Sequence, residues 1–218
     1  MSSDVKAPNV IAVLGPARSG SSCTAGILHA LGVSMGRYLL PANPMNSKGF
    51  FESMDLRRLL AHIFRGSPIN GFRSQIASSE IVKAFRRHMD FRKDDGNLLG
   101  VKHPWLCMLI SEMAEAWPGL KIVSINRDLD AVVSSMKGSQ KFPNDNEEQR
   151  RNAVMQLVTM RDADSARLNI PTLTLNYADI LADPTKAVND LIAFAGINPT
   201  QEQIGAAVAF VEPELCHH

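Results

Sequence analysis

The chain has 218 residues, 45% hydrophobic and 21% charged, which is enough for one sizeable core and predicts a single domain over 1–218. Lys+Arg 23 against Asp+Glu 22 leaves a formal charge of +1, which excludes bulk attraction to nucleic acid or to an anionic membrane. No apolar run reaches bilayer length, the N-terminal Met-Ser-Ser-Asp-Val-Lys-Ala-Pro lacks the apolar core of a signal peptide, and Cys23, Cys107 and Cys216 form no CxxC pair, so the expectation is a soluble, cytoplasmic protein without disulfides.

Val10-Ile11-Ala12-Val13-Leu14 is a continuous apolar run, the pattern of a strand buried on both faces of a parallel sheet. Gly15, Pro16, Ala17, Arg18, Ser19, Gly20, Ser21 and Ser22 then break it, and a helix follows over 21–31 with Gly32 as its stop. A strand, tight loop and helix in this order aim backbone N–H groups and the positive end of a helix dipole at one point, a site for a phosphate. The phosphate-loop pattern G-x-x-x-x-G-K-[ST] is met at Gly15, Gly20 and Ser22, but Ser21 stands in the place of the Lys. Arg18 is the only cation of the loop. Such a loop is poorly equipped for γ-phosphoryl transfer with Mg²⁺ and suits a 5′-phosphate carrying a smaller, singly charged group. Cys23, in the first turn of the helix, reads as small-residue packing.

The stretch 33–51 has little periodicity and is long enough for function. It leads into Gly49-Phe50-Phe51-Glu52, where Glu52 has two readings: a proton acceptor, or a carboxylate complementing the dipole of the next helix. Aromatic neighbours that exclude water are expected to raise its pKa. A helix over 53–65 turns Met54, Leu56, Leu59, Leu60 and Ile63 inward and leaves Arg57, Arg58 and His62 on a solvated face. A polar loop over 66–78 precedes an amphipathic helix over 79–93 with Arg86 and Arg87 outward.

A short strand over 97–102 ends at His103-Pro104, and Pro104 can start a helix over 105–117. Lys102 and His103 then lie at the carboxyl edge of a parallel sheet, where open α/β folds bind ligands, and His103 is a second-choice base. Leu120 to Asn126 is the clearest strand after the first and runs into Arg127-Asp128. Asp128 can cap the following helix, Ser135 lies two turns along it, and the Arg127 fork can meet the same anion as Ser135. The loop 138–145, with Lys137 and Lys141 nearby, has two readings, a lid or an ordinary connection. A long helix over 146–168 carries Val154, Leu157, Val158, Met160 and Ala163 as its stripe, with Met155 and Met160 as core filler. A strand over 172–177, a helix capped by Asp183 with Pro184 at its first position and stopped by Gly196, and a capping box at Thr200 and Gln203 complete the chain. The six histidines, the terminal pair His217 and His218 included, show no metal-ligand spacing, so no metal is expected. Strands alternating with helices predict an α/β fold of three layers, a mainly parallel sheet flanked by helices, like that of the P-loop nucleotide hydrolases.

Gly15 to Ser22 resembles the 5′-phosphosulfate loop of the sulfotransferases, commonly P-R-S-G-T-[ST], with Ala17 inserted after the Pro and Ser21 for Thr. Further segments are similar in the same order. They are the N-x-x-G-F-F-E run ending at Glu52, Lys-x-Pro at Lys102, Arg127 with Ser135 as in R-[DN]-P-x-[DE]-x-x-x-S, and Tyr177 to Pro184 as in Y-E-D-L-x-x-D-P. Leu129 replaces the usual Pro, Ala131 the usual acid, and the family's G-x-x-G-x-W-K segment is not found. The resemblance implies transfer of a sulfuryl group from 3′-phosphoadenosine 5′-phosphosulfate to a hydroxyl or amine, with no metal. Gly15, Pro16, Ala17, Ser19, Gly20, Ser21 and Ser22 would cradle the 5′-phosphate and Arg18 would stabilise the bridging oxygen. Arg127 and Ser135 would take the 3′-phosphate, and Glu52, or else His103, the acceptor's proton. The implied partner is a small-molecule, glycan or lipid hydroxyl, with neither nucleic acid nor a membrane span involved. A P-loop small-molecule kinase, or a nucleotide-binding protein without catalysis, is the alternative.

Overall fold

The computed structural model describes residues 9–44, 46–65, 76–92, 95–96, 98–137 and 146–212. The first strand, β1 (Asn9–Leu14), has all but its first residue buried, as the apolar run requires. It lies inside a parallel sheet of four strands with β2 (Leu98–Lys102), β3 (Leu120–Asn126) and β4 (Thr172–Asn176) in the order β2-β1-β3-β4. Ala12 stands level with Val101 on one side and with Ile122 on the other, and Ile125 with Leu175. The β4 sequence Thr-Leu-Thr-Leu-Asn alternates exposed and half-buried positions, the pattern of an edge strand with one packed face.

The period of two divides β1 between two cores. Val10, Ala12 and Leu14 join one with Leu120 and Ile122, beneath α2 (Met54–Ile63), α3 (Ser78–Arg92) and α4 (Ile110–Ala116). Ile11 and Val13 join the other with Val123 and Ile125, beneath α1 (Ser21–Ala30), α8 (Pro184–Ala195) and α9 (Gln201–Ala209). The remaining helices are α5 (Leu129–Met136), α6 (Glu147–Arg167) and α7 (Tyr177–Ala182). The result is three-layered, helix on sheet on helix. Each fully buried Val, Ile or Leu contributes roughly 1.5–3 kcal/mol, so the sheet is held from both sides.

The chain goes from β1 to β2 on one flank and then to β3 on the other. The loops leaving β1 and β3 therefore diverge at their carboxyl ends, the crevice where α/β sheets bind ligands.

Several expectations change. The helix predicted over 105–117 is two pieces, a 3₁₀ turn Pro104–Met108 and α4, parted at Leu109 (φ −126°). Leu106 through Ile110 are all buried, so this segment fills core on every side rather than presenting one stripe. On α6, Met155 and Ala163 are exposed and Arg161 lies fully buried, because the inward line runs Val154, Leu157, Arg161, Ser165. Tyr177 starts α7 instead of ending β4. His88 and Arg92 on α3 face inward. The predicted caps form: Asp128 accepts from Ala131 N, Asp183 from Lys186 N, Thr200 from Gln203 N, and Gly196 closes α8 at φ 70°. The loop 138–145, most of 66–78, and Cys216, His217 and His218 lie outside the described residues.

Candidate active site

Gly15 to Ser22 link β1 to α1 at the crevice. A Cβ on Gly15 would come 2.5 Å from Ser19 Oγ and 3.1 Å from the Ile125 carbonyl oxygen, so the close approach of β3 leaves room only for glycine. Gly20 is the N-cap of α1 at φ 95°, with the Tyr177 ring 2.3 Å from where its Cβ would be. Arg18 also adopts a positive φ, 69°, which costs a residue with a side chain about 1–3 kcal/mol. No side chain caps α1, and Ser19 Oγ is buried without a hydrogen-bond partner among the described residues. An uncapped helix start beside an orphaned hydroxyl fits an anion.

Three predicted residues meet beside this loop. Arg18 Nε donates to Ser135 Oγ at 2.9 Å, and Arg127 Nη1 donates to the Arg18 carbonyl at 3.0 Å. The Arg127 guanidinium also lies 5.3 Å from the centroid of the Tyr177 ring. Arg127 and Tyr177 line an open cleft of about 560 Å³ with Asn126, Ala131, Ala178 and Leu181. Tyr177, which the sequence offers as a strand end and not as a site residue, joins the cleft from the carboxyl end of the edge strand.

Nothing in the apolar periodicity of the sequence points to Arg161. From α6 its Nη1 donates to the Ile125 carbonyl at 3.0 Å and its Nη2 to Asn126 Oδ1 at 2.7 Å. It thereby fixes the end of β3 from which Arg127 projects.

Glu52 sits on the other side of the loop. Its backbone is pinned by Leu40 N, which donates to the Glu52 carbonyl at 2.8 Å, and Phe51 before it holds φ 54°. Phe51 places its ring in the α1/α9 core against Phe210 and His29. The Glu52 carboxylate meets cations instead. Lys102 Nζ donates to Oε1 at 2.8 Å, Arg57 Nη1 donates to Oε2, and His103 Nε2 lies 3.9 Å from Oε2. Burial alone would raise the Glu52 pKa. The charges of Lys102, His103 and Arg57, with the Lys102 hydrogen bond, outweigh it and lower the value to about 2. The expectation of a raised pKa is thus corrected. So is the placing of Arg57 on the solvated face. Arg58 points to solvent beside Asp55, whereas Arg57 turns back from the first turns of α2.

Lys102 Nζ also donates to Ser22 Oγ at 3.1 Å, which joins the Glu52 cluster to the phosphate loop. An ammonium thus reaches the loop from the end of β2, where position 21 of the loop itself carries a Ser. His103 Nδ1 accepts from Trp105 N at 3.2 Å, so a neutral imidazole keeps its proton on Nε2, facing Glu52. No group of His, Cys, Asp and Glu side chains suited to a metal occurs among the described residues, and none of their helices is long and apolar enough to cross a membrane.

No curated protein sequence matches the chain significantly. Solved structures do. The sulfotransferase STF1 from Mycobacterium tuberculosis superimposes with a TM-score of 0.58 at 16% identity, over 94% of this chain and 72% of that one. The sulfotransferase domain of the olefin synthase from Synechococcus PCC 7002 does so with a TM-score of 0.58 at 20% identity, over 93% and 78%. The sulfotransferase STF9 from Mycobacterium avium gives 0.59 at 14% identity, over 94% and 68%. At such identities the likeness establishes the fold. The profile described as "Sulfotransferase family" matches residues 8–202, which takes in β1, the loop, the Glu52 cluster, Arg127 and α8. The chain belongs to the sulfotransferase family.

Proposed function

We propose that the protein transfers a sulfuryl group from 3′-phosphoadenosine 5′-phosphosulfate to a hydroxyl or amine acceptor. The observation that carries this reading is Lys102, bonded at once to Ser22 and to Glu52. In a phosphate loop used with Mg²⁺ the Ser22 hydroxyl would face the metal. Here it faces an ammonium, which suits a singly charged group on the 5′-phosphate and opposes a divalent cation.

The donor supplies an activated sulfuryl group on its 5′-phosphate, and a new bond from sulfur to the acceptor, S–O for a hydroxyl or S–N for an amine, replaces the bond to the phosphate oxygen. The residues of this chain position and neutralise. The first-turn N–H groups of α1 with Ser19, Ser21 and Ser22 hold the 5′-phosphate. Arg127 and Ser135 select the 3′-phosphate, and Arg18, bonded to Ser135, reaches between the two anions. Lys102 balances charge on the phosphate oxygen as the sulfuryl group leaves it. Glu52, ionised throughout the working pH range, takes the acceptor's proton. An anion at Ser22 competes for the Lys102 charge, which restores basicity to Glu52. His103 presents Nε2–H and orients the carboxylate, which supports Glu52 over His103 as the base.

A thermal-shift comparison tests this reading. 3′-Phosphoadenosine 5′-phosphate at 100 times its dissociation constant stabilises the fold by about 2.7 kcal/mol without Mg²⁺, and ATP with Mg²⁺ does much less. Equal shifts would favour a kinase.

A further inference from the structure

The cluster at Glu52 holds more positive charge than the carboxylate needs. Glu52 and Lys102 have side chains 4% exposed, whereas Arg57 is 29% exposed and lies on the solvent side. Lys102 is committed to Ser22 as well as to Glu52, so it belongs to the donor side. Arg57 has no bond to the phosphate loop, and its partner is a carboxylate held by one oxygen. Its planar fork is built for two parallel bonds to such a group. The nearest charged residues on its own helix, Asp55 and Arg58, pair with each other at 3.3 Å and leave Arg57 uncompensated by them.

We propose that Arg57 reads the acceptor: its guanidinium takes a carboxylate carried by the molecule whose hydroxyl is to be sulfated, and in turning to it releases Glu52. The inference rests on the sulfotransfer reading of the same site and adds the acceptor's chemical class, a hydroxy acid. It also explains how a carboxylate held near pKa 2 by its neighbours becomes a proton acceptor only when the right substrate is present. A neutral alcohol would leave the Arg57–Glu52 pair closed.

The test measures binding, so it needs no turnover. Protein saturated with 3′-phosphoadenosine 5′-phosphate is titrated with a panel of aliphatic and aromatic hydroxy acids, each paired with its primary amide. At least one acid binds more tightly than its amide by on the order of tenfold or more, the scale of a charge-assisted hydrogen bond. Arg57→Gln removes that preference and leaves nucleotide affinity unchanged, while Arg57→Lys keeps part of it. The proposal is overturned if no acid is preferred over its amide, or if the preference survives intact in Arg57→Gln. Should Arg57→Gln fail to fold, an undiminished preference in Arg57→Lys overturns it, because the ammonium lacks the fork. Failure of the nucleotide itself to bind counts against the donor reading. The panel on nucleotide-free protein then decides Arg57 separately, because the Arg57–Glu52 pair forms without nucleotide.

Discussion

Lys102 and Glu52 form a buried ion pair, Nζ to Oε1 at 2.8 Å, at the point where the end of β2 meets the phosphate loop. Bringing two charges out of water is costly, and the pair holds only while both are present. Lys102→Met leaves Glu52 with Arg57 as its principal cation and is expected to destabilise the fold by about 3 kcal/mol, the lower end of the cost of breaking a buried pair. Adding Glu52→Gln to it recovers part of the loss. Urea unfolding of the single and double variants checks this, and simple additivity would count against a coupled pair.

Glu52→Gln keeps the shape of the side chain and removes its basicity. Nucleotide affinity is expected to hold within a factor of a few while turnover falls by about 10²–10⁴, the scale of general acid–base catalysis. His103→Ala, which removes an orienting group, has the smaller effect. The reverse order would make His103 the base.

His88 gives a pH signature remote from the site. It is buried on α3 with Nε2 unpartnered among the described residues, and burial together with Arg92 lowers its pKa from 6.5 to about 4 against the opposing pull of Asp55 and Asp95. Between those values the unfolded chain binds the proton and the folded protein does not. Stability is therefore complete above pH 6.5 and falls toward pH 4, by about 3 kcal/mol in all. Glu52 adds a second loss between 4.5 and about 2, where the folded carboxylate still resists protonation. Unfolding midpoints recorded against pH should show the first step in the native protein and a flattened one in His88→Gln.

Gly20→Ala tests the geometry of the loop. The new methyl meets the Tyr177 ring at a positive φ, so a loss of about 1–3 kcal/mol is expected, with weakened nucleotide binding. Gly205→Ala, on α9 with nothing within 4 Å of its Cβ among the described residues, serves as the control and should be neutral or stabilising.

The sheet was legible because Val10 to Leu14 and Leu120 to Asn126 carry the apolar runs of buried parallel strands, and the caps at Asp128, Asp183 and Thr200 because capping is local chemistry. Glu52, Lys102, His103, Arg127 and Ser135 could be singled out from strand ends and family-like spacing. Their partnerships could not. Arg57 and Arg58 are neighbours of one type on one helix, and only the tertiary position of the Glu52 carboxylate tells which of them turns back to it. Arg161 breaks the apolar stripe of α6 to reach the carbonyl at the end of β3, a tertiary demand that periodicity does not reveal. The Glu52 pKa depends on charges brought from β2 and α2, which outweigh burial.

The proposed donor site grips two anions, one at the loop after β1 and one at Arg127 and Ser135. Calorimetric titration of the native protein and Arg127→Ala with 3′-phosphoadenosine 5′-phosphate and adenosine 5′-phosphate measures it directly. The native protein is expected to prefer the 3′-phosphorylated nucleotide, and Arg127→Ala to weaken its binding by about 1.5–3 kcal/mol while leaving adenosine 5′-phosphate nearly unchanged. Equal affinity for the two nucleotides in the native protein, or an equal loss for both in the variant, would contradict this reading.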